Sequence, residues 1–124
     1  EIGIEMSFAV NVLGYFLLTN LLLPLLQQSA PSRIINVSSG GMYTTGLNVT
    51  DAQFEKRKYD GVQAYAEHKR AEVIFTEIWA KQLQDSGVTV NAMHPGWADT
   101  KGVQRSLPTF RKMTQAIFWF CILI

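Results

Sequence analysis

The sequence predicts a layered α/β fold in which parallel strands are joined through long helices. Three observations predict it. Two apolar, β-branched runs, residues 33–37 and 88–93, are too short for helices and are bounded by turn residues. Long helical patterns over residues 4–28 and 62–84 precede them. The elements therefore alternate as helix, strand, helix, strand, helix, and strands separated by helices of this length pair in parallel through crossover connections.

The first helix, residues 4–28, carries Leu and Phe around most of its circumference, so burial on more than one side is expected. Pro24 removes a backbone donor and is expected to tighten or kink the last turns. Ser29-Ala30-Pro31-Ser32 is turn chemistry that stops the helix. The strand Arg33-Ile34-Ile35-Asn36-Val37 follows and ends in Ser38-Ser39-Gly40-Gly41. Residues 40–61 are polar and aperiodic, with Asn48-Val49-Thr50-Asp51 suggesting the cap of a short helical turn. The second helix, 62–84, sets Tyr65, Ala66, Lys69, Val73 and Thr76 along one side and stops at Asp85-Ser86-Gly87, where the glycine suits a left-handed C-cap. The strand 88–93 is halted by His94-Pro95-Gly96, and a variable loop to Pro108 leads to a final helix from Thr109. Two strands make a poor sheet by themselves, so further strands are expected to precede this segment. The chain lacks an initiating Met and opens inside a helix, so residues 1–124 read as the C-terminal part of one larger domain.

With 48% hydrophobic and 17% charged residues and a net charge of +1, the composition is that of a packed globular domain rather than a disordered or nucleic-acid-binding chain. Lys56, Arg57 and Lys58 form a short basic run offset by Glu55 and Asp60, which is expected to be a solvated loop. Cys121 is the single cysteine, so no disulfide within the chain and no Cys-based metal site can form. His68 and His94 lack neighbours at metal-ligand spacing, and no metal is expected. His68 points off the Tyr65–Lys69 face and is expected at the surface; His94 is expected to be structural. A reducing, intracellular and cytoplasmic setting fits the cysteine usage. The opening residues lack the basic start of a signal peptide. The apolar stretch 12–26 is interrupted by Asn20 and Pro24 and falls short of the roughly 20 residues of a membrane span. Residues 116–124 read as a buried helix, the alternative being the start of a membrane anchor.

Chemistry concentrates at Tyr65-Ala66-Glu67-His68-Lys69. Residues at i and i+4 share a helix face. A phenol alone ionises near pH 10, and a neighbouring ammonium favours the phenolate, which makes a tyrosine usable as a proton donor to a carbonyl under reduction. The spacing by itself says little, because many exposed helical pairs have it. Its context adds weight. Asn36-Val37-Ser38-Ser39 ends a strand in two hydroxyls, and ligands of parallel α/β sheets bind at the carboxyl ends of strands. Ser39 is thus placed to donate to a substrate oxygen, while Ser38 is expected to serve the strand–loop junction. Pro95-Gly96 follows the other strand at the same edge, where a glycine permits close approach of the backbone to a ligand.

Together, Asn11-Val12-x-Gly14, Asn36-Val37-Ser38-Ser39, Tyr65-x-x-x-Lys69 and Pro95-Gly96-x-x-x-Thr100 make the chain resemble the short-chain dehydrogenase/reductase family from about Glu5 to Thr100. The long gap between Ser39 and Tyr65 resembles the retinol-dehydrogenase-like branch. The strings around Met42 and Trp97 look like the group of dehydrogenase/reductase family member twelve. The resemblance implies part of a Rossmann-like, doubly wound parallel sheet, and hydride transfer between NAD or NADP and an apolar carbonyl or alcohol substrate. It implies that Tyr65 is the acid/base and that Lys69 holds the nicotinamide ribose. Ser39 would orient the substrate carbonyl, and Asn11 would hold a water of the proton relay. Pro95, Gly96 and Thr100 would line the cofactor, with Trp97 on the substrate side. A homodimer or tetramer of the full-length protein is implied as well.

Nothing in residues 1–124 resembles the Gly-rich strand–turn–helix that cradles a dinucleotide pyrophosphate. The N-terminal dinucleotide-binding half is therefore expected to precede Glu1, and the isolated segment to bind cofactor poorly. The competing expectation is a non-catalytic dimerisation or interaction module of the same fold.

Overall fold

The computed structural model describes residues 3–96, 101–106, 108–109 and 111–112. Helix α1 (Met6–Gln28) begins at Glu5, whose carboxylate accepts from the backbone N–H groups of Ser7 (2.9 Å) and Phe8 (2.6 Å). This supplies the first turn with acceptors that its own backbone cannot provide. Ala9–Leu13 winds as a π turn, and Gly14–Gln28 continues as α-helix through Pro24. Strand β1 (Ser32–Val37) leads to a 3-10 turn (Gly40–Thr44). Helix α2 (Gly61–Gln82) and strand β2 (Val88–Met93) follow. A further helix, α3 (Lys101–Ser106), stands where only loop was expected.

β1 and β2 pair in parallel, with Ser32 opposite Val88 and Val37 opposite Met93. The expected α/β arrangement with parallel strands is therefore present. The core lies between the sheet and the distal half of α2. Trp79, Leu83, Val88 and Val90 are buried there, with Leu23, Leu26, Ile34 and Phe75 packed around them. Phe16 of α1 closes the cluster, its ring 5.4 Å from Phe75 and 6.0 Å from Trp79. Asn36, on the inward face of β1, donates to Thr76 Oγ1 at 2.8 Å, so its buried amide is not left unpaired.

α1 is not buried on more than one side among the described residues. One flank packs on α2 and the sheet, whereas Leu17, Leu18, Leu21 and Leu25 are exposed, as are Ile35, Val37 and Met93 on the opposite sheet face. Among the described residues α1, α2 and the two strands share one interface, and the second apolar surface of each layer is left uncovered. The helical run is also longer than its uninterrupted apolar stretch suggested. At 23 residues, with a mean hydropathy of 1.8 over an 18-residue window, it is long and apolar enough to cross a membrane by length and composition alone.

The left-handed glycine expected to cap α2 belongs instead to the entry of β2. The helix ends at Leu83, whose N–H donates to Trp79 O, and Gly87 sits further on at φ +75°, its carbonyl accepting from Ser32 N at 3.1 Å. A Cβ at Gly87 would stand 2.9 Å from Ala30 Cβ. Gly87→Ala combines a strained backbone with this clash, and denaturant unfolding of the full-length protein is expected to register a loss of about 2 kcal/mol.

Candidate active site

Helix α2 is fixed at its start by Asp60, whose Oδ1 accepts from Val62 N at 2.9 Å and Gln63 N at 3.1 Å. That start sets which residues face the sheet. Tyr65, in the following turn, is 43% exposed. Lys69, one turn later, is only 7% exposed. Its Nζ lies 5.7 Å from the centroid of the Tyr65 ring and 5.2 Å from that of Tyr15. The ammonium donates to Val37 O at 3.0 Å, at the carboxyl end of β1, and to Glu72 Oε1 and Oε2 at 2.8 and 3.0 Å. The ammonium thus bridges the end of β1 and the next turn of α2.

The serines leave β1 at this same point. Ser38 is buried, and its hydroxyl donates to the Lys69 carbonyl at 2.7 Å while its N–H donates to Met93 O at 2.9 Å. It ties both strand ends to α2, in keeping with a junction role. Ser39 Oγ accepts from Gly41 N at 3.3 Å and caps the 3-10 turn. That turn leans on α2: a Cβ at Gly41 would meet Ser39 Oγ at 3.7 Å and Ala66 Cβ at 3.9 Å, and Arg70 Nη1 donates to Met42 O at 3.2 Å. Ser39 therefore shares one end of the sheet with Tyr65 and Lys69.

Asn11 lies in the π turn of α1, a helix irregularity often found at functional sites. Gly14 closes the turn, its N–H donating to Ala9 O, and a Cβ there would approach that carbonyl to 3.4 Å. The Asn11 amide donates to Ser7 O (3.0 Å) and Ser7 Oγ (3.1 Å) rather than to Lys69. Ser7 Oγ in turn lies 3.2 Å from His68 Nδ1. Pro95 and Gly96 are exposed beyond β2 at the Ser39 end of the sheet, with Gly96 at φ +79° and its N–H donating to His94 Nδ1 at 2.8 Å. Trp97 and Thr100 lie outside the described residues.

The family model described as short chain dehydrogenase matches residues 1–109. The chain belongs to the short-chain dehydrogenase family. Human dehydrogenase/reductase SDR family member 12 is 44% identical over 110 residues, which are 89% of this chain and 34% of that protein. Human retinol dehydrogenase 13 is 48% identical over 128 residues, 98% of this chain and 38% of that protein. These relatives place the chain on the retinol-dehydrogenase-like branch, and the chain spans little more than a third of their length. A solved structure of an uncharacterized protein from Mycobacterium Paratuberculosis superposes with a TM-score of 0.69 at 34% identity, over 79% of this chain and 36% of that one.

Three polar residues sit where sequence spacing did not put them. Glu72 is the buried partner of Lys69, one turn on from it. His68 is not at the surface but 2% exposed, edge-on to Phe8 at 5.7 Å, and burial holds its imidazole below the usual histidine range. A side chain pointing away from the Tyr65 face of α2 meets α1, not water. Arg57 leaves the solvated run expected of it. It donates to Glu67 Oε1 and Oε2 at 2.7 and 2.8 Å, pairs with Asp51 Oδ2 at 3.3 Å and lies 3.7 Å over the Phe54 ring. The available signal was a pair of acids, Glu67 and Glu72, set among Ala64, Ala66 and Ala71, since carboxylates buried in such a setting call for cationic partners.

The fork of Arg57 holds the Glu67 carboxyl below the usual carboxylate range. A carboxyl whose folded titration lies below its unfolded one stabilises the fold above the unfolded titration range, and that contribution is lost as pH falls through the folded one. Arg57→Gln is expected to lower the unfolding midpoint at neutral pH and to flatten its decline below about pH 4.5. Thermal melts of both proteins across the acid range test this; parallel curves would count against it.

Proposed function

We propose that the protein to which this chain belongs is an NAD(P)-dependent dehydrogenase that interconverts an apolar alcohol and its carbonyl, with Tyr65 as the acid/base. One observation carries the reading: an exposed phenol, a buried ammonium and a strand-end hydroxyl converge at the carboxyl edge of a parallel pair. A nicotinamide dinucleotide fits the donor set. Lys69 supplies a charged donor for ribose hydroxyls, and at the Gly96 turn a Cβ would meet nothing within 4 Å among the described residues, which favours close approach of a flat ring to the backbone. When bound, the nicotinamide supplies or accepts the hydride.

This chain's own residues carry the rest. Ser39 orients the substrate oxygen by donating to it; among the described residues its hydroxyl oxygen meets only the Gly41 N–H. Tyr65 donates a proton to that oxygen in reduction and withdraws it in oxidation. Lys69 holds the ribose and sets the electrostatic field at the phenol. Asn11, in its π turn, belongs to the path that returns protons behind Lys69. Pro95, Gly96 and Thr100 line the nicotinamide side, and Trp97 the substrate side. The membership of retinol dehydrogenases among its relatives makes retinol the first alcohol to test.

Tyr65→Phe in the full-length protein is expected to lower turnover of retinol or its aldehyde by about 10²- to 10⁴-fold. Because the phenol is exposed and makes no buried bond, the melting temperature should stay within a degree or so of the unaltered protein. Unchanged turnover in the folded variant would overturn the assignment.

A further inference from the structure

The side of α2 that carries Tyr65 changes character along its length. Towards the C-terminal end Lys69 is 7% exposed and Glu72 1% exposed, so that end is buried and polar. Towards the helix start the same side is open and apolar. Val62 lies three residues before Tyr65, shares its face and is 49% exposed. Gly61, four residues before Tyr65, brings no side chain to this face, and a Cβ there would stand 3.6 Å from Tyr59 Cε1. The Tyr59 ring therefore lies against the start of the helix, and it is held in place. Its hydroxyl donates to Glu5 Oε1 at 3.3 Å, and Phe54 meets it edge-on with centroids 5.5 Å apart. Half of Tyr59 nonetheless stays exposed. The Asp60 carboxylate beside it is committed to the helix start, where Oδ1 accepts from the N–H groups of Val62 and Gln63.

We propose that Tyr59 and Val62 form the wall along which the body of the substrate lies, with Val62 a specificity-determining residue that selects elongated apolar alcohols and carbonyls over short ones. This rests on Tyr65 acting as the acid/base and Lys69 as the ribose-binding group. The reacting oxygen then meets the Tyr65 hydroxyl while the cofactor takes the Lys69 side. The rest of the substrate is directed the other way along the helix, towards Val62 and the Tyr59 ring. Hydrocarbon laid on these side chains removes apolar surface of both partners from water, which favours binding by up to about fourfold per buried methylene. A short alcohol that ends beside Tyr65 leaves Val62 in water and gains none of this.

The test is reduction of retinal and of straight-chain aldehydes of increasing length by the full-length protein with NADH or NADPH. For the unaltered protein kcat/KM is expected to rise with chain length. Val62→Gln is expected to flatten that rise, lowering kcat/KM for retinal and the longest aldehydes by about tenfold relative to the shortest. Val62→Leu, apolar again, is expected to keep it, which separates lost apolar contact from a disturbed helix start. Val62 is half exposed, so both variants are expected to fold. Ile78→Gln removes a comparably exposed apolar side chain further along α2 and is expected to leave the rise as it is. No dependence on length in the unaltered protein overturns the proposal. The same dependence in Val62→Gln, or equal flattening by Ile78→Gln, does so too. Failure of the unaltered protein to reduce any aldehyde overturns the dehydrogenase reading, and this inference with it.

Discussion

A buried ammonium at the end of a strand constrains much of the rest. Lys69 lies in a place where a lone charge would be strongly disfavoured, so its surroundings must supply acceptors at defined positions. Glu72 comes from its own helix and the Val37 carbonyl from β1, which ties the rotation of α2 to the end of that strand. Ser38 reinforces the tie by bonding the Lys69 carbonyl, and the Trp79 cluster secures the helix two turns further on. With α2 held in this way, Tyr65 is carried to the strand mouth where Ser39 emerges.

The parts of the fold that were legible in the sequence depend on local periodicity. Both strands and α2 fall within a residue or two of the expected bounds, because apolar alternation and helical stripes report directly on which face is covered. The grouping of Ser39, Tyr65 and Lys69 at one edge was legible for a related reason: in a parallel sheet all strand ends that bear loops of this kind point one way. The π turn was not. Asn11-Val12-x-Gly14 has ordinary helical composition, and an extra residue in one turn is decided by packing and by the Ser7 bonds to Asn11.

Polar burial was the other failure, and its cause is the same in each case. Glu67 and Glu72 carry only the weak mark of an Ala-rich setting, and His68 carries none. Their partners lie far along the chain, at Ser7 and Arg57, or on an adjacent turn whose inward rotation only the tertiary fold sets. Arg57 looked like one of three solvated cations because its neighbours in sequence are charged. Its neighbours in space are a carboxylate fork and an aromatic face, and a guanidinium suits both better than an ammonium would.

These burials bear on the chemistry as well as on the fold. Three consecutive residues of α2 are each anchored to a different element: Glu67 to the loop through Arg57, His68 to α1 through Ser7, and Lys69 to β1 through Val37. A helix gripped on three sides within one turn has little freedom to rotate. Within the segment from Tyr65 to Lys69, the tyrosine is then the polar side chain left exposed. A proton donor is effective when it is held at a fixed distance from its acceptor while staying open to it. On the proposed reading of Tyr65 as the acid/base, the neighbours' buried bonds hold the backbone beneath the phenol while the phenol itself stays exposed.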